Sequence, residues 1–270
     1  MAWKLVGQQK EKEIGHLNLL HKEIDEGSGG NYEILVYDTA ELYGEKGAFR
    51  VLEFSNEAIQ GAMDLNRPDR VLFEYPQAII HLMEHNAPEF EAAFLIGHGI
   101  GTIASYFADR RMKVAEHNKK VLEISRQWFG YNRDNVVVGD GRSVLSSEAP
   151  QSYDYIIVDA FTDKGTPSHL TSEEFFTLAA EKLDERGAVI LNLMGRGEQD
   201  RMINAIHTTL GHTFAYTRAF ALPSDNAGDV LNIVMIGSHV SIGFMERKMA
   251  GFTEISPGAG HVIWDSVPAT

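Results

Sequence analysis

Three carboxylates and one glycine turn fall at the same kind of place in this chain, directly after a short apolar run. "AAFLIG" leads into Gly97-His98-Gly99-Ile100-Gly101, and "RMKVAE" ends on Glu116. "NVVVGD" ends on Asp140, which Gly141 follows, and "YDYIIVDAF" carries Asp159. Runs this short and this rich in β-branched and aromatic residues read as buried strands, so each polar group stands at a strand's carboxyl end. Glycines at 97, 99 and 101 let the backbone turn tightly and let a ligand approach it. An acid at the end of the next strand can accept hydrogen bonds from both hydroxyls of a ribose, which makes Glu116 a nucleoside-binding candidate. Asp140 could accept from the exocyclic amine of an adenine lying on Gly141, or it could cap the following helix. Asp159, taken alone, could cap the next helix or bind backbone amides in its own loop.

Groups at strand ends need a sheet that brings the ends to one rim. From about residue 87 onward strands alternate with helical stretches such as "NKKVLEISRQWF" and "TSEEFFTLAAEKL". This pattern predicts a doubly wound, Rossmann-like parallel sheet with helices on both faces, and ligands bind outside its carboxyl edge near the reversal of strand order. Close to the end, "TFAYTRAFAL" and "DVLNIVMIGS" flank the turn-rich "PSDNAG", so the domain is expected to end in a β-hairpin. Earlier, residues 31–65 alternate apolar and polar side chains around Gly44 and Gly47, which predicts a small antiparallel sheet. "RPDRVLFEY" reads as one more strand, and "PQAIIHLMEHN" as a helix from Pro76 to near Asn86. The first thirty residues read as a short helix and a glycine-rich joint, "DEGSGGN". The expected organisation is α/β, with an N-terminal extension, small β domain and helix over 1–86 and a Rossmann-like domain over 87–270.

Composition narrows the function classes. With 38 acidic residues against 24 Lys plus Arg, the chain carries a formal charge of -14, which repels nucleic acid and anionic membranes and favours cationic partners. It has no cysteine, so disulfides, thiolate nucleophiles and Cys-ligated metals are excluded. No apolar run approaches the ~20 residues of a membrane span, and the charged start does not resemble a signal peptide, so a cytoplasmic location is expected.

Several motifs invite other readings. A nicotinamide dehydrogenase would usually show G-x-G-x-x-G at the pyrophosphate, whereas this turn is G-x-G-x-G followed by Thr102, and a third acid at Asp159 fits an adenosyl-sulfonium transferase better. "HLMEH", His81 to His85, matches a zinc-protease pattern but lacks an identifiable third ligand, so no metal is expected. Neither Ser168 nor Ser172 stands in a G-x-S-x-G elbow. His98 is left between ligand contact and turn residue, and His169 is read as ordering its loop or capping a helix.

Taken in order from about Ala58 to Ser238, the segments "FLIGHGIGT", "VAEHNKKVLEISRQWF", "VVVGDGRSVL" and "YDYIIVDAFTDKGTPSHLTSEEFF" resemble the spermidine synthases, and more closely their bacterial spermidine-synthase-like relatives. The resemblance implies transfer of an aminopropyl group from decarboxylated S-adenosylmethionine to a polyamine-type amine, with no tightly bound cofactor. It implies donor contacts from Gln60, Gly97, Gly99, Gly101, Glu116, Asp140 and Gly141. It implies Asp159 as general base, with Tyr75 and His81 on a gate helix and Thr162 or Asp163 near the acceptor. A homodimer and a small-molecule amine substrate are implied as partners. Two departures stand out: Ile100 replaces the acid that in the family meets the donor's ammonium, and the Tyr-Pro pair of the amine pocket has no counterpart in "ALPSDNAGD". Ile100 therefore keeps open a methyltransferase or aminocarboxypropyl transferase using intact S-adenosylmethionine, or a non-catalytic binder of methylthioadenosine-like nucleosides.

Overall fold

The computed structural model describes residues 17–25, 32–54, 58–162, 165–224 and 229–265. Two sheets organise them. The smaller is antiparallel, in the order β1 (Asn18–Asp25), β2 (Tyr32–Leu42), β3 (Glu45–Phe54) and β4 (Ala58–Asp64). Tyr43 and Gly44, with φ of 48° and 82°, make the two-residue connection of β2 to β3, and left-handed conformations at both positions suit the twist of a tight hairpin. Alternation sorts its side chains: Ile34, Val36 and Leu52 face one way and bury with Ile124 and Phe129, while Tyr37, Val51 and Ala62 face the other.

Two expectations change in this region. Residues 18–25 form a strand and not a helix, because β2 offers an edge that pairs with them from Leu19↔Tyr37 to Asp25↔Tyr32, and an isolated helix of that length is marginal. "RPDRVLFEY" supplies no strand. It makes turns on Asp64, whose carboxylate accepts from the Asn66 and Arg67 backbone N–H groups, and Gln77 Nε2 takes the Val71 and Leu72 carbonyls that a strand would have paired.

The larger sheet holds β5 (Ala92–Ile96), β6 (Arg111–Glu116), β7 (Val136–Val138), β8 (Tyr153–Val158), β9 (Leu183–Gly195), β10 (Tyr216–Ala221), β11 (Leu231–Ser238) and β12 (Thr253–Ile255). Their order is β12-β10-β11-β9-β8-β5-β6-β7. Strands β5 to β9 are parallel, and β10, β11 and β12 are antiparallel additions. The expected hairpin is β10–β11, but it does not end the domain, since the chain returns to lay β12 on the outer side of β10.

Helices cover both faces of this sheet. α1 (Glu74–Asn86) and α2 (Thr102–Tyr106) lie on one; α4 (Gly141–Ser146), α5 (Glu173–Lys182) and α6 (Arg201–Thr213) lie on the other. β5 shows why both must be covered: all five residues are buried, with Ala93 and Leu95 in one core cluster and Ala92, Phe94 and Ile96 in the other. Each fully buried Phe, such as Phe94 or Phe175, contributes on the order of 2 kcal/mol of transfer free energy. α3 (Lys119–Trp128) lies between the sheets, contributing Ile124 to the small sheet's inner face, while Arg50 donates to the Trp128 carbonyl at 3.0 Å. Strand order reverses between β5 and β8, since the chain passes from β5 to β6 and β7 on one side and then crosses to β8 and β9 on the other. Among the described residues no helix is long and apolar enough to cross a membrane.

Candidate active site

The reversal point gathers most of the residues singled out above. Asp159 N–H donates to the Ile96 carbonyl at 2.8 Å, and Gly97 N–H to the Ala115 carbonyl at 2.9 Å, so the ends of β5, β6 and β8 are laced together. Gly97 has φ 103°, and a Cβ there would stand 2.0 Å from the Asp159 carbonyl oxygen. Only glycine allows that approach. A Cβ on Gly99 would lie 3.1 Å from the Gln60 carbonyl oxygen, which brings β4 of the small sheet to the turn. One on Gly141 would meet Ile96 at 2.3 Å. Gly101 serves a different contact: with φ 86° it opens α2 and faces the ring of Tyr131.

Ile100 is half-buried at the turn. Its side chain lies against Gly61 and the apolar cluster between the small sheet and α3. His98 also turns inward. Its Nε2 stands 2.8 Å from Ser125 Oγ, whose own hydroxyl donates to the Leu122 carbonyl at 2.9 Å, so the imidazole carries its proton on Nε2. The ring meets Tyr131 edge-on at 4.5 Å, and burial lowers its pKa to about 4. It is a neutral core histidine whose backbone, and not whose ring, serves the rim.

Glu116 ends β6 and is buried. Its Oε2 accepts from His98 N–H at 2.9 Å and its Oε1 from Asn118 N–H at 2.7 Å. Burial raises its pKa, and these backbone donors oppose the rise. His117 also contributes a backbone hydrogen bond, so the carboxylate is held by the turn that follows it.

Asp140 does cap a helix. Oδ1 accepts from both the N–H and the hydroxyl of Ser143 at 2.8 Å, at the start of α4. Oδ2 lies 2.9 Å from His169 Nε2. Burial pushes its pKa up, but the hydrogen bonds from Ser143 and His169 outweigh it and the net direction is down.

Asp159 has the most unusual surroundings. Asn192 Nδ2 donates to its Oδ1 at 2.8 Å, and Tyr75, in the first turn of α1, hydrogen-bonds it through its hydroxyl. Burial raises its pKa, while Asn192 and Tyr75 act the other way. The Tyr75 hydroxyl is itself held protonated by burial and by the neighbouring carboxylate. Asn192 was not among the sequence candidates. Its signal is one amide inside the apolar run "GAVILNLMG", a position where a polar side chain needs a partner; Asn232 on β11 donates to it at 3.3 Å.

Two expected gate residues are engaged elsewhere. His81 accepts the Met245 N–H at 2.9 Å, tying α1 to the segment before β12; burial lowers its pKa, and its ring lies 5.4 Å from that of His85. Thr162 is exposed and donates its hydroxyl to the Gly165 carbonyl at 2.9 Å across a tight turn. Asp163 lies outside the described residues. No group of three His, Asp or Glu side chains among the described residues could hold a metal ion.

Residues 72–241 match the family model of the spermine/spermidine synthase domain. A probable polyamine aminopropyl transferase of Bifidobacterium longum is 29% identical over 134 residues, covering 47% of this chain and 30% of that one. A polyamine aminopropyltransferase of Vibrio vulnificus is 24% identical over 196 residues, covering 68% of this chain and 64% of that one. The chain thus spans less than two thirds of the length of both relatives. In fold it is similar to a probable spermidine synthase from Corynebacterium glutamicum, with a TM-score of 0.77 at 22% identity over 93% of this chain and 99% of that one. It is similar also to the Thermotoga maritima spermidine synthase, with a TM-score of 0.60 at 16% identity over 90% and 81% of the two chains. With the family model matched over more than half its length, this chain belongs to the spermine/spermidine synthase family.

Proposed function

We propose that this chain transfers an aminopropyl group from decarboxylated S-adenosylmethionine to an amine, with Asp159 as the general base. The observation that supports this reading is the surroundings of Asp159: a half-buried carboxylate of raised pKa, held by Asn192 and Tyr75 beside the glycine turn. In the reaction an amine nitrogen attacks the carbon next to the sulfonium. The new C–N bond forms as the C–S bond breaks, and sulfur keeps the electron pair as the thioether of methylthioadenosine. The attacking ammonium must first lose a proton, and a carboxylate whose pKa burial has raised is a better acceptor for it. A sulfonium leaves readily, so the remaining work is positioning. Glu116 would take the ribose hydroxyls and Asp140 the exocyclic amine of adenine, with Gly97, Gly99, Gly101, Gly141 and Gln60 shaping the wall around them.

The same reading takes a small-molecule amine as acceptor, which a formal charge of -14 favours over nucleic acid, and a homodimer as the working form, checked by sedimentation. Incubation with decarboxylated donor and a panel of diamines and polyamines should release methylthioadenosine, and no release with any amine despite donor binding would overturn it. Asp159→Asn should abolish turnover while leaving donor affinity within a few-fold.

Ile100 favours a second reading. An apolar residue there supplies no charge for the donor's ammonium, and intact S-adenosylmethionine would then be bound as well as its decarboxylated form. Calorimetry with both donors separates the two: a clear preference for the decarboxylated donor removes the second reading.

A further inference from the structure

A strap of irregular chain follows β12 and crosses the helices on one face of the large sheet. Residues 256–265 form neither helix nor strand, so their backbone N–H groups need partners elsewhere. Five of them find side chains. Ser256 donates to Glu198 at 2.7 Å, Gly258 to Asn204 at 3.0 Å, Gly260 to Thr208 at 2.8 Å, Ile263 to Thr209 at 2.9 Å and Asp265 to Glu174 at 2.9 Å. Gly260 lies flat on α6, where a Cβ would stand 2.4 Å from the Ala205 nitrogen. A path held at so many points brings Asp265 to a defined place beside the rim.

Asp265 grips Arg142 through two parallel bonds of 2.8 and 2.7 Å, and Arg142 directly follows Gly141. The same guanidinium donates to the His169 carbonyl at 3.1 Å, and His169 Nε2 meets Asp140 Oδ2 at 2.9 Å. Ser143 holds the other oxygen, Oδ1. Thus one oxygen of Asp140 is fixed by its own helix and the other through three contacts that end on the strap. A carboxylate oxygen has two lone pairs, so when His169 takes one it orients the other. The planar Asp265–Arg142 pair is the stiffest link of the series, because two parallel bonds allow neither partner to rotate.

We propose that Arg142, Asp265 and His169 are positioning residues for the nucleoside end of the site, holding Asp140 so that it accepts the exocyclic amine of a 6-aminopurine nucleoside. This rests on the assignment of Asp140 made above. A 6-oxopurine presents an acceptor at the same place and gains nothing from the carboxylate, so the relay governs base selectivity and not overall nucleoside binding.

The test is calorimetric titration of the full chain with methylthioadenosine and with its 6-oxo counterpart, methylthioinosine. The unmodified chain should prefer methylthioadenosine. Asp265→Asn should weaken that affinity by about fivefold or more and leave the 6-oxo affinity within about twofold, in the range of ordinary site-to-site coupling. Asp265→Glu should restore much of the preference, and Arg142→Lys, which keeps charge but not the paired bonds, should fall between. His169→Ala removes the side-chain donor to Asp140 at an exposed position without touching the strap and should reproduce the lost selectivity, which keeps the test decisive if Asp265→Asn folds poorly. Equal weakening of both nucleosides, unchanged selectivity, or tighter methylthioadenosine binding would overturn the relay. If the unmodified chain binds neither nucleoside, the assignment of Asp140 fails and the relay with it. Binding of both without preference overturns the relay while leaving the nucleoside site standing.

Discussion

Asp159 is costly to the fold in the form the proposed chemistry requires. Its pKa is raised in the folded chain by burial, so between the ordinary aspartate pKa and that raised value the native state holds more protons than the unfolded one. Stability contributed by the protonated carboxyl is therefore present at low pH and lost as pH rises through the folded pKa. At neutral pH Asp159→Asn should both end turnover and raise the thermal midpoint, and the gain should shrink as the pH is lowered toward 4. A midpoint that falls at pH 7 would contradict this. Glu116, also buried with a raised pKa, adds to the same slope. The acids of the rim were legible in the sequence because each interrupts the end of an apolar run. Asn192 was harder to find: its partner, Asp159, is 33 positions away, and only the folded sheet puts β9 beside β8.

Among the elements, the point where the chain leaves the paired ends of β5 and β8 is the least tolerant. Gly97→Ala would place a methyl group against the Asp159 carbonyl and force an L residue to φ 103°, and should cost about 3 kcal/mol or more in urea unfolding. Gly99→Ala, with φ 54° and a nearest neighbour at 3.1 Å, should cost about 1 kcal/mol. Equal losses at the two positions would show that the close approach of Gly97 to the Asp159 carbonyl is not the constraint. The strands and helices of the parallel sheet could be read locally, since alternation and helical spacing persist over whole segments there. β1 and the 66–73 connection could not. β1 is a strand because β2 pairs with it, and residues 71 and 72 are not one because Gln77 occupies their carbonyls. Both outcomes depend on partners that local pattern does not contain.

At the scale of the molecule, the two sheets share more than a hydrophobic seam. The small sheet meets the large one through Ile100 on Gly61, through the Gln60 carbonyl beside Gly99, and through Asn118, whose side chain bonds Asp25 at 2.6 Å while its N–H bonds Glu116. The turn was recognisable from its glycines, but its service as the joint between sheets was not, because nothing near residue 100 indicates that Gly61 will face it. The consequence is mechanical. If a ligand sits on the turn as proposed, it bears on the contacts that join β4 to the large sheet. Amide hydrogen exchange across β4 should therefore slow when methylthioadenosine binds, even at residues that cannot touch the ligand, and unchanged exchange there would mean that the sheets move independently of the site. On this view Ile100 acts as an axle bearing: an apolar contact that lets binding at one sheet brake the motion of the other.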